Sequence, residues 1–427
     1  MLTSSQRSSP RKAYLVSLRK EVYMSGLIET FREATLLQCG FLEKLLDLDL
    51  KEVASFSSSM AEFLGPSLER DGLVPPENRF VYGLAAGRSA LSLYSFLQLM
   101  QNHFDNVFPY TLEDPLQRHY RKGKNLGIVV SGSGETPAVN KYIQDMIDHS
   151  GEIKLITAND QGTACRLVRD YDQGSVLKIE GRTKYATDKE TRSRLSPLGT
   201  EFELEVLAFL NAVFKDIQSR IRGVCQADCP QYRSSIDDYE KNARLLVEMD
   251  PAHLESWFEK LFPRSGRYMI GGVGRSGLVA RAFEMRFTHL NKISYWERDF
   301  NTPSFQIGDV YIPISGIGNT YEALEGTVNA LSKKADVMPI TANRSSRLVA
   351  IMKEHNRLED IVFIPFLPEY AGLFSGDLST TSWLMSEYTK FRHPVFEINA
   401  SIFTNSVVAV GAEFLGMAEA GMRRLHV

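Results

Sequence analysis

Residues 129–136 read Val129-Val130-Ser131-Gly132-Ser133-Gly134-Glu135-Thr136, an apolar run that breaks into hydroxyls and glycines before a helical pattern begins. Such a junction is a strand end turning into a helix, and open α/β sheets bind their ligands there. Glycine lets the backbone approach a ligand closely, and the unpaired N–H groups that open a helix favour an anion. Ser131, Ser133 and Thr136 add hydroxyl donors. The stretch lacks the lysine of a GxxxxGK[ST] loop and the length of GxGxxG, which disfavours a nucleoside triphosphate or a dinucleotide. A small anion, a phosphate monoester, remains. The competing reading is a cap, in which Ser133 and Thr136 only satisfy orphan N–H groups.

A weaker copy, PISGIGNT, begins at Pro313, with Ser315 standing 184 residues after Ser131 (315 − 131). Tyr82 opens YGLAAGRSALSLYSF and Ile270 opens IGGVGRSGLVARAF, each a strand, a glycine turn and Gly-Arg-Ser leading a helix. Lys154 opens KLITAND against MPITANR from Met338, and FELEVLAFLNAV from Phe202 aligns with FEINASIFTNSV from Phe396. Four matches in one order, at offsets of 184 to 194 residues, read as a tandem duplication. In each half, short apolar runs alternate with helical stretches. That predicts α/β architecture: two domains, each a parallel five-stranded sheet with helices on both faces, related by a pseudo-two-fold axis.

Strands are expected at 80–84, 107–110, 126–130, 154–157 and 176–179, then at 268–271, 294–297, 310–314, 337–341 and 361–364. Leading helices are expected at 36–64 and 237–262. The expected divisions are an N-terminal extension and helix (1–34), a first domain (35–222), a linker (223–234) and a second domain (235–427).

Of the 427 residues, 43% are hydrophobic and 24% charged, as in an ordinary soluble globular protein. Lys and Arg (49) nearly balance Asp and Glu (52), which argues against nucleic acid as the main partner. Cys225 and Cys229 form a CxxxC pair with no second Cys or His pair beside it, so no metal is expected and the thiols fit a reduced, cytoplasmic setting. No apolar run reads as a membrane span. The basic, Ser-rich start, without an acid until Glu21, lacks a secretory apolar core and reads as a frayed lead-in to the first helix, with an organelle transit peptide as the alternative.

SGSGET, GRS before a helix, and SPLGTEFE (Ser196–Glu203) together resemble the sugar isomerase (SIS) domain, and within it the 6-phospho-3-hexuloisomerase family. GRSGLVARAFEMRFTHL (Gly274–Leu290) and the NTPSFQIGDVYIPISG after it resemble that family's first segment and its following turns. The resemblance covers roughly residues 35–222 and 235–427. It implies a phosphosugar held by the Ser/Thr loop and a proton moved between adjacent carbons through a cis-enediol, with no metal or organic cofactor. Such chemistry needs a base beside a carbonyl and a donor for the developing oxyanion. Glu203 matches the family's PLGTxFE glutamate and is the candidate base, partial burial raising its pKa toward neutrality. The alternative is a capping box, Glu203 reaching back to Thr200. Glu397 keeps the glutamate in the second half, although Pro394 stands where the capping threonine should be.

Fifteen residues beyond the GRS glycine stand His289 in the second half and Asn102 in the first. His289 matches the family's histidine, whereas His103 is turned about 100° away from that face. Since the family's sites look shared between paired domains, one complete site is expected. It combines Arg88, Ser89, Ser131, Gly132, Ser133, Gly134, Glu135, Thr136, Thr163 and Glu203 with His289. Thr163 substitutes for a family serine that falls on Gly162. The other set, Arg275, Ser276, Ser315, Thr320, Ser346 and Glu397 with Asn102, is degenerate: Ile317 replaces a hydroxyl, Asn319 replaces the glutamate, and the histidine is absent. The expected function is isomerisation of a hexulose 6-phosphate, fructose 6-phosphate being one partner of the pair. An aminosugar isomerase is a further option, and a non-catalytic phosphosugar-binding regulator is the alternative of another class. A phosphorylated sugar is the expected partner, with no nucleic acid or membrane, and a homodimer is possible.

Overall fold

The computed structural model describes residues 10–65, 67–69, 72–74, 79–104, 107–111, 124–181, 194–198, 200–224, 229–370, 373 and 394–424. The chain opens with α1 (Pro10–Lys44) and α2 (Leu50–Leu64), then a short antiparallel ribbon of β1 (Ser67–Glu69) and β2 (Gly72–Val74). The first sheet follows, with β3 (Arg79–Ala85), α3 (Gly87–His103), β4 (Val107–Thr111), β5 (Lys124–Val130), α4 (Pro137–Asp148), β6 (Glu152–Thr157), α5 (Thr163–Arg169) and β7 (Gly174–Lys178). Its strands are all parallel, in the order β4-β3-β5-β6-β7. Strands such as Lys124–Val130 are apolar on both faces because helices cover both faces of a parallel sheet.

Next come α6 (Thr200–Ile221), α7 (Pro230–Arg244) and α8 (Pro251–Leu261). The second sheet is built from β8 (Tyr268–Gly271), α9 (Gly274–His289), β9 (Ser294–Trp296), β10 (Val310–Ser315), α10 (Tyr321–Ser332), β11 (Asp336–Val337), β12 (Ile340–Thr341), α11 (Arg347–Glu354) and β13 (Val362–Phe363). The chain closes with α12 (Val395–Phe414) and α13 (Glu419–Arg424). The order is β13-β12-β10-β8-β9, with β11 also on β10. This sheet has six strands, not the expected five. The 337–341 run is split in two at Met338-Pro339: Met338 N still donates to Tyr311 O, but Pro313 of β10 has no N–H to give the next rung of the ladder. Each order is the 2-1-3-4-5 of a doubly wound sheet, whose topological switch falls between the strands ending in GRS and in the Ser/Gly loops.

Three further expectations are corrected. Each leading segment is two helices rather than one, because Asp49 and Asp250 accept hydrogen bonds from the amides of Lys51 and Ala252 and start a second helix. Helix α1 runs through the 34/35 boundary, and α7 begins inside the 223–234 linker. Helix α12 is long and apolar enough to cross a membrane by composition, yet 83% of that stretch is buried inside the protein. A helix apolar all round is what the centre of a large core requires. Cys225 lies outside the described residues; Cys39, Cys165 and Cys229 are buried free thiols.

One core joins the two halves. From α1, Phe31 packs edge-on to Phe403 of α12 at 5.6 Å, and Thr35 Oγ1 lies 3.0 Å from Ser406 Oγ. Conversely α7 packs on the first half: Tyr232 meets the ring of Phe209 of α6 at 5.7 Å and donates to the Leu45 carbonyl at 2.7 Å. The first helix of each leading pair, α1 and α7, is thus exchanged between halves, whereas α2 packs on its own half through Phe56 and Phe209 and α8 on its own through Trp257 and the Asp360 carbonyl. Helices α3, α6, α9 and α12 line one central cleft.

Candidate active site

Four consecutive carbonyls fix the loop between β5 and α4. Ser131 O accepts from Thr157 Oγ1 (2.7 Å), Gly132 O from Ala158 N (3.3 Å), Ser133 O from Asn159 Nδ2 (2.8 Å) and Gly134 O from Ala164 N (2.9 Å). Gly134 has φ of 67°, and a Cβ there would meet Gly162 Cα at 3.2 Å, so glycine is required twice over. The carbonyls are committed to the 157–164 segment, and the loop leads into the N-terminus of α4, the end of a helix that favours an anion. Thr136 is the residue before α4 and makes no side-chain cap, contrary to the capping alternative. The hydroxyl oxygens of Ser131 and Ser133 accept from the amides of Gly134 and Glu135, both at 3.2 Å.

The second loop repeats this frame. Gly316 O accepts from Ala342 N (3.1 Å), Ile317 O from Asn343 Nδ2 (3.1 Å) and Gly318 O from Leu348 N (3.0 Å). Ser315 Oγ lies 3.1 Å from Thr320 Oγ1.

Glu135 and Thr163 bond to each other. Glu135 accepts from Thr163 N at 2.9 Å and from Thr163 Oγ1 at 2.8 Å, and these two bonds hold its carboxyl below the usual range. Asn319 Oδ1 likewise accepts from Arg347 N at 2.8 Å, and Ser346 Oγ from Val349 N at 3.3 Å. Asn319 does the capping work of Glu135 with one acceptor instead of two.

Arg88, in the first turn of α3, is buried and donates from Nη2 to Leu198 O at 2.7 Å; the same nitrogen lies 3.6 Å from Glu203 Oε1. Ser89 beside it is half-buried. The Thr200 hydroxyl pairs with Ser196 Oγ at 2.6 Å. In the second half Arg275 Nη2 meets Glu397 Oε2 at 3.1 Å, and Ser276 Oγ donates to Glu397 Oε1 at 3.3 Å. Both Arg–Glu pairs face the same cleft, a convergence the sequence did not disclose. Its volume is about 60 Å³, room for a few waters, and neither the Ser131–Thr136 loop nor His289 is among the residues that line it.

His289 is buried in the last turn of α9, whereas Asn102, at the matching place in α3, is exposed. His103 is set aside in its own contacts, its ring 5.3 Å from Phe214 and its Nδ1 3.3 Å from Gln218. One turn before His289, Arg286 donates to Pro197 O at 2.7 Å. The end of α9 therefore abuts the turn that launches α6 and Glu203. Sequence reasoning missed Arg286 and Glu419, whose Oε1 accepts from Leu198 N at 3.2 Å. The available signal was a charge on the apolar stripe Val279, Phe283, Arg286, Leu290.

No family model matches the chain. The 3-hexulose-6-phosphate isomerase of Methylomonas aminofaciens is 31% identical over 166 residues, which are 39% of this chain and 82% of that protein. Its namesake from Methanocaldococcus jannaschii is 35% identical over 173 residues, 40% of this chain and 82% of that one. Among solved structures, tagatose-6-phosphate ketose/aldose isomerase from Escherichia coli has the same fold. It superposes with a TM-score of 0.58 at 13% identity, covering 93% of this chain and 94% of that one.

Proposed function

The chain belongs to the 3-hexulose-6-phosphate isomerase family of SIS-fold phosphosugar isomerases, and from that premise we propose that it interconverts a hexulose 6-phosphate and fructose 6-phosphate at one composite site. The phosphate docks on Ser131–Thr136. The Glu203 carboxylate takes the proton from the carbon beside the ketone, and the electron pair left behind forms the enediolate. A proton then returns to the former carbonyl carbon, while the hydroxyl on the first carbon loses its own and becomes the new ketone. His289, lent by the second half, carries protons between the two oxygens. Nothing is gained or lost overall.

The observation that carries this reading is the Arg88–Glu203 approach of 3.6 Å inside the cleft, with the Thr200 hydroxyl engaged by Ser196 instead. The tandem duplication is supported by relatives that span about two-fifths of the chain while a whole-chain fold likeness spans 93% of it. We take the Arg275, Ser276, Ser315, Thr320, Ser346 and Glu397 set as catalytically silent, its histidine place being held by the exposed Asn102. The buried thiols support a cytoplasmic setting.

The test is isomerisation of a panel of hexulose and aldose 6-phosphates. Glu203→Gln and His289→Ala should each lower kcat by about 10² or more, while Glu397→Gln stays within a few-fold of wild type. Equal losses from Glu203→Gln and Glu397→Gln would sink the one-site assignment. Binding without turnover of any sugar would leave a regulatory phosphosugar receptor.

A further inference from the structure

Leu198 has φ of 60°, the left-handed region, where a bulky non-glycine residue is an outlier that its surroundings must hold in place. Three charged side chains converge on this one turn. Arg88 from α3 donates to the Leu198 carbonyl at 2.7 Å, Arg286 from α9 to the Pro197 carbonyl at 2.7 Å, and Glu419 from α13 accepts from the Leu198 amide at 3.2 Å. Two of the three come from the C-terminal half, although the turn launches the N-terminal half's Glu203. We propose that Arg286 and Glu419 are positioning residues that clamp the Pro197–Leu198 turn in its left-handed form and so set Glu203 and Arg88 against the cleft. This rests on the isomerase reading above and deepens it.

Arg286 is a costly way to fill a core position. It is 1% exposed, and among the described residues its Nε and Nη1 have no hydrogen-bond partner. A desolvated guanidinium with unpaired donors is less favourable than an apolar side chain of like size. Its charge is opposed by Arg88 and favoured by Glu203 and Glu419. The fold itself does not demand it. The matching place in α3, twelve residues beyond Gly87 as Arg286 is beyond Gly274, holds the buried Leu99. The cation thus stands where a left-handed turn leads to the proposed base.

The experiment compares full-length wild type, Arg286→Met, Arg286→Lys, Glu419→Gln and Arg286→Met/Leu198→Gly. Hydrogen exchange of the peptide spanning residues 196–200 is read alongside thermal unfolding and turnover of hexulose 6-phosphate. Arg286→Met should accelerate exchange there and lower kcat on the order of 10², with a much smaller change in KM. Glu419→Gln and Arg286→Lys should do the same more weakly. Adding Leu198→Gly should restore most of the turnover, because glycine adopts this φ without strain. A residue that merely packs would not be rescued this way. Unchanged exchange in Arg286→Met, or a double variant no better than the single one, would overturn the clamp. If Arg286→Met does not fold, Arg286→Lys and Glu419→Gln decide by the same two readouts. If wild type turns over no sugar phosphate, the isomerase reading fails, and the exchange comparison still judges the clamp.

Discussion

Both oxygens of Glu135 accept from Thr163, one from its amide and one from its hydroxyl, and Asn319 gives the equivalent amide of Arg347 its single oxygen. A carboxylate in a Ser/Gly loop invites a ligand role, but here the side chain reaches the orphan amide that opens α5 and meets it first. The consequence is a pH dependence of known sign. Because these bonds hold the Glu135 carboxyl below its ordinary 4.5, their stabilisation is fully present above that value and is lost as pH falls through the depressed one. Thermal unfolding of wild type against Glu135→Gln should therefore show a gap that is constant near neutrality and closes in acid. The gap should be small, since the carboxylate is exposed. Glu135→Asn, copying the second half, should recover the amide bond and part of the gap. A gap that widens in acid would contradict the capping role.

At the scale of elements, the breaks in the leading helices come from aspartates. Asp250 accepts from Ala252 N at 3.1 Å and Pro251 occupies the first helical position. Asp250→Ala should cost about 0.5–2 kcal/mol, read by chemical denaturation, whereas Asp250→Ser should cost far less. Sequences such as Met249-Asp250-Pro251 carry a readable start signal, yet helical periodicity of apolar residues runs straight through it and masks the break. Strand positions were legible because a buried parallel strand must be continuously apolar, as Val310–Ser315 is. The split of the 337–341 run also had a signal in the sequence, since Pro313 in the neighbouring strand has no N–H to offer it. What no pattern could disclose is which charges converge across helices. Arg286 and Glu419 lie 89 and 221 residues from Pro197 and Leu198 in order, and only packing brings them together on adjacent peptides. The shared cleft of the two Arg–Glu pairs is of the same kind, a product of how α3 and α9 cross.

At the scale of the whole molecule, the exchanged helices decide how the two halves respond to damage. Phe31 belongs to the first helix but packs against Phe403 of α12 and Phe258 of α8, both in the C-terminal half. Tyr232, in turn, belongs to the C-terminal half but is anchored on Phe209 and the Leu45 carbonyl. A single cluster of buried side chains extends from Met24 to Met422. Neither sheet can lose its cover without uncovering the other, so unfolding should be one cooperative event despite the length of the chain. Phe31→Ala removes a fully buried ring and should cost about 3–5 kcal/mol. That cost should appear as a shift of one transition, not the loss of one of two. Amide protection of β8 and β10 should fall in step with that of β3 and β5. Two separable transitions, with only one moved by Phe31→Ala, would show that the halves are independent bodies. The proposed site, with its base from one half and its histidine from the other, would then lack a rigid frame.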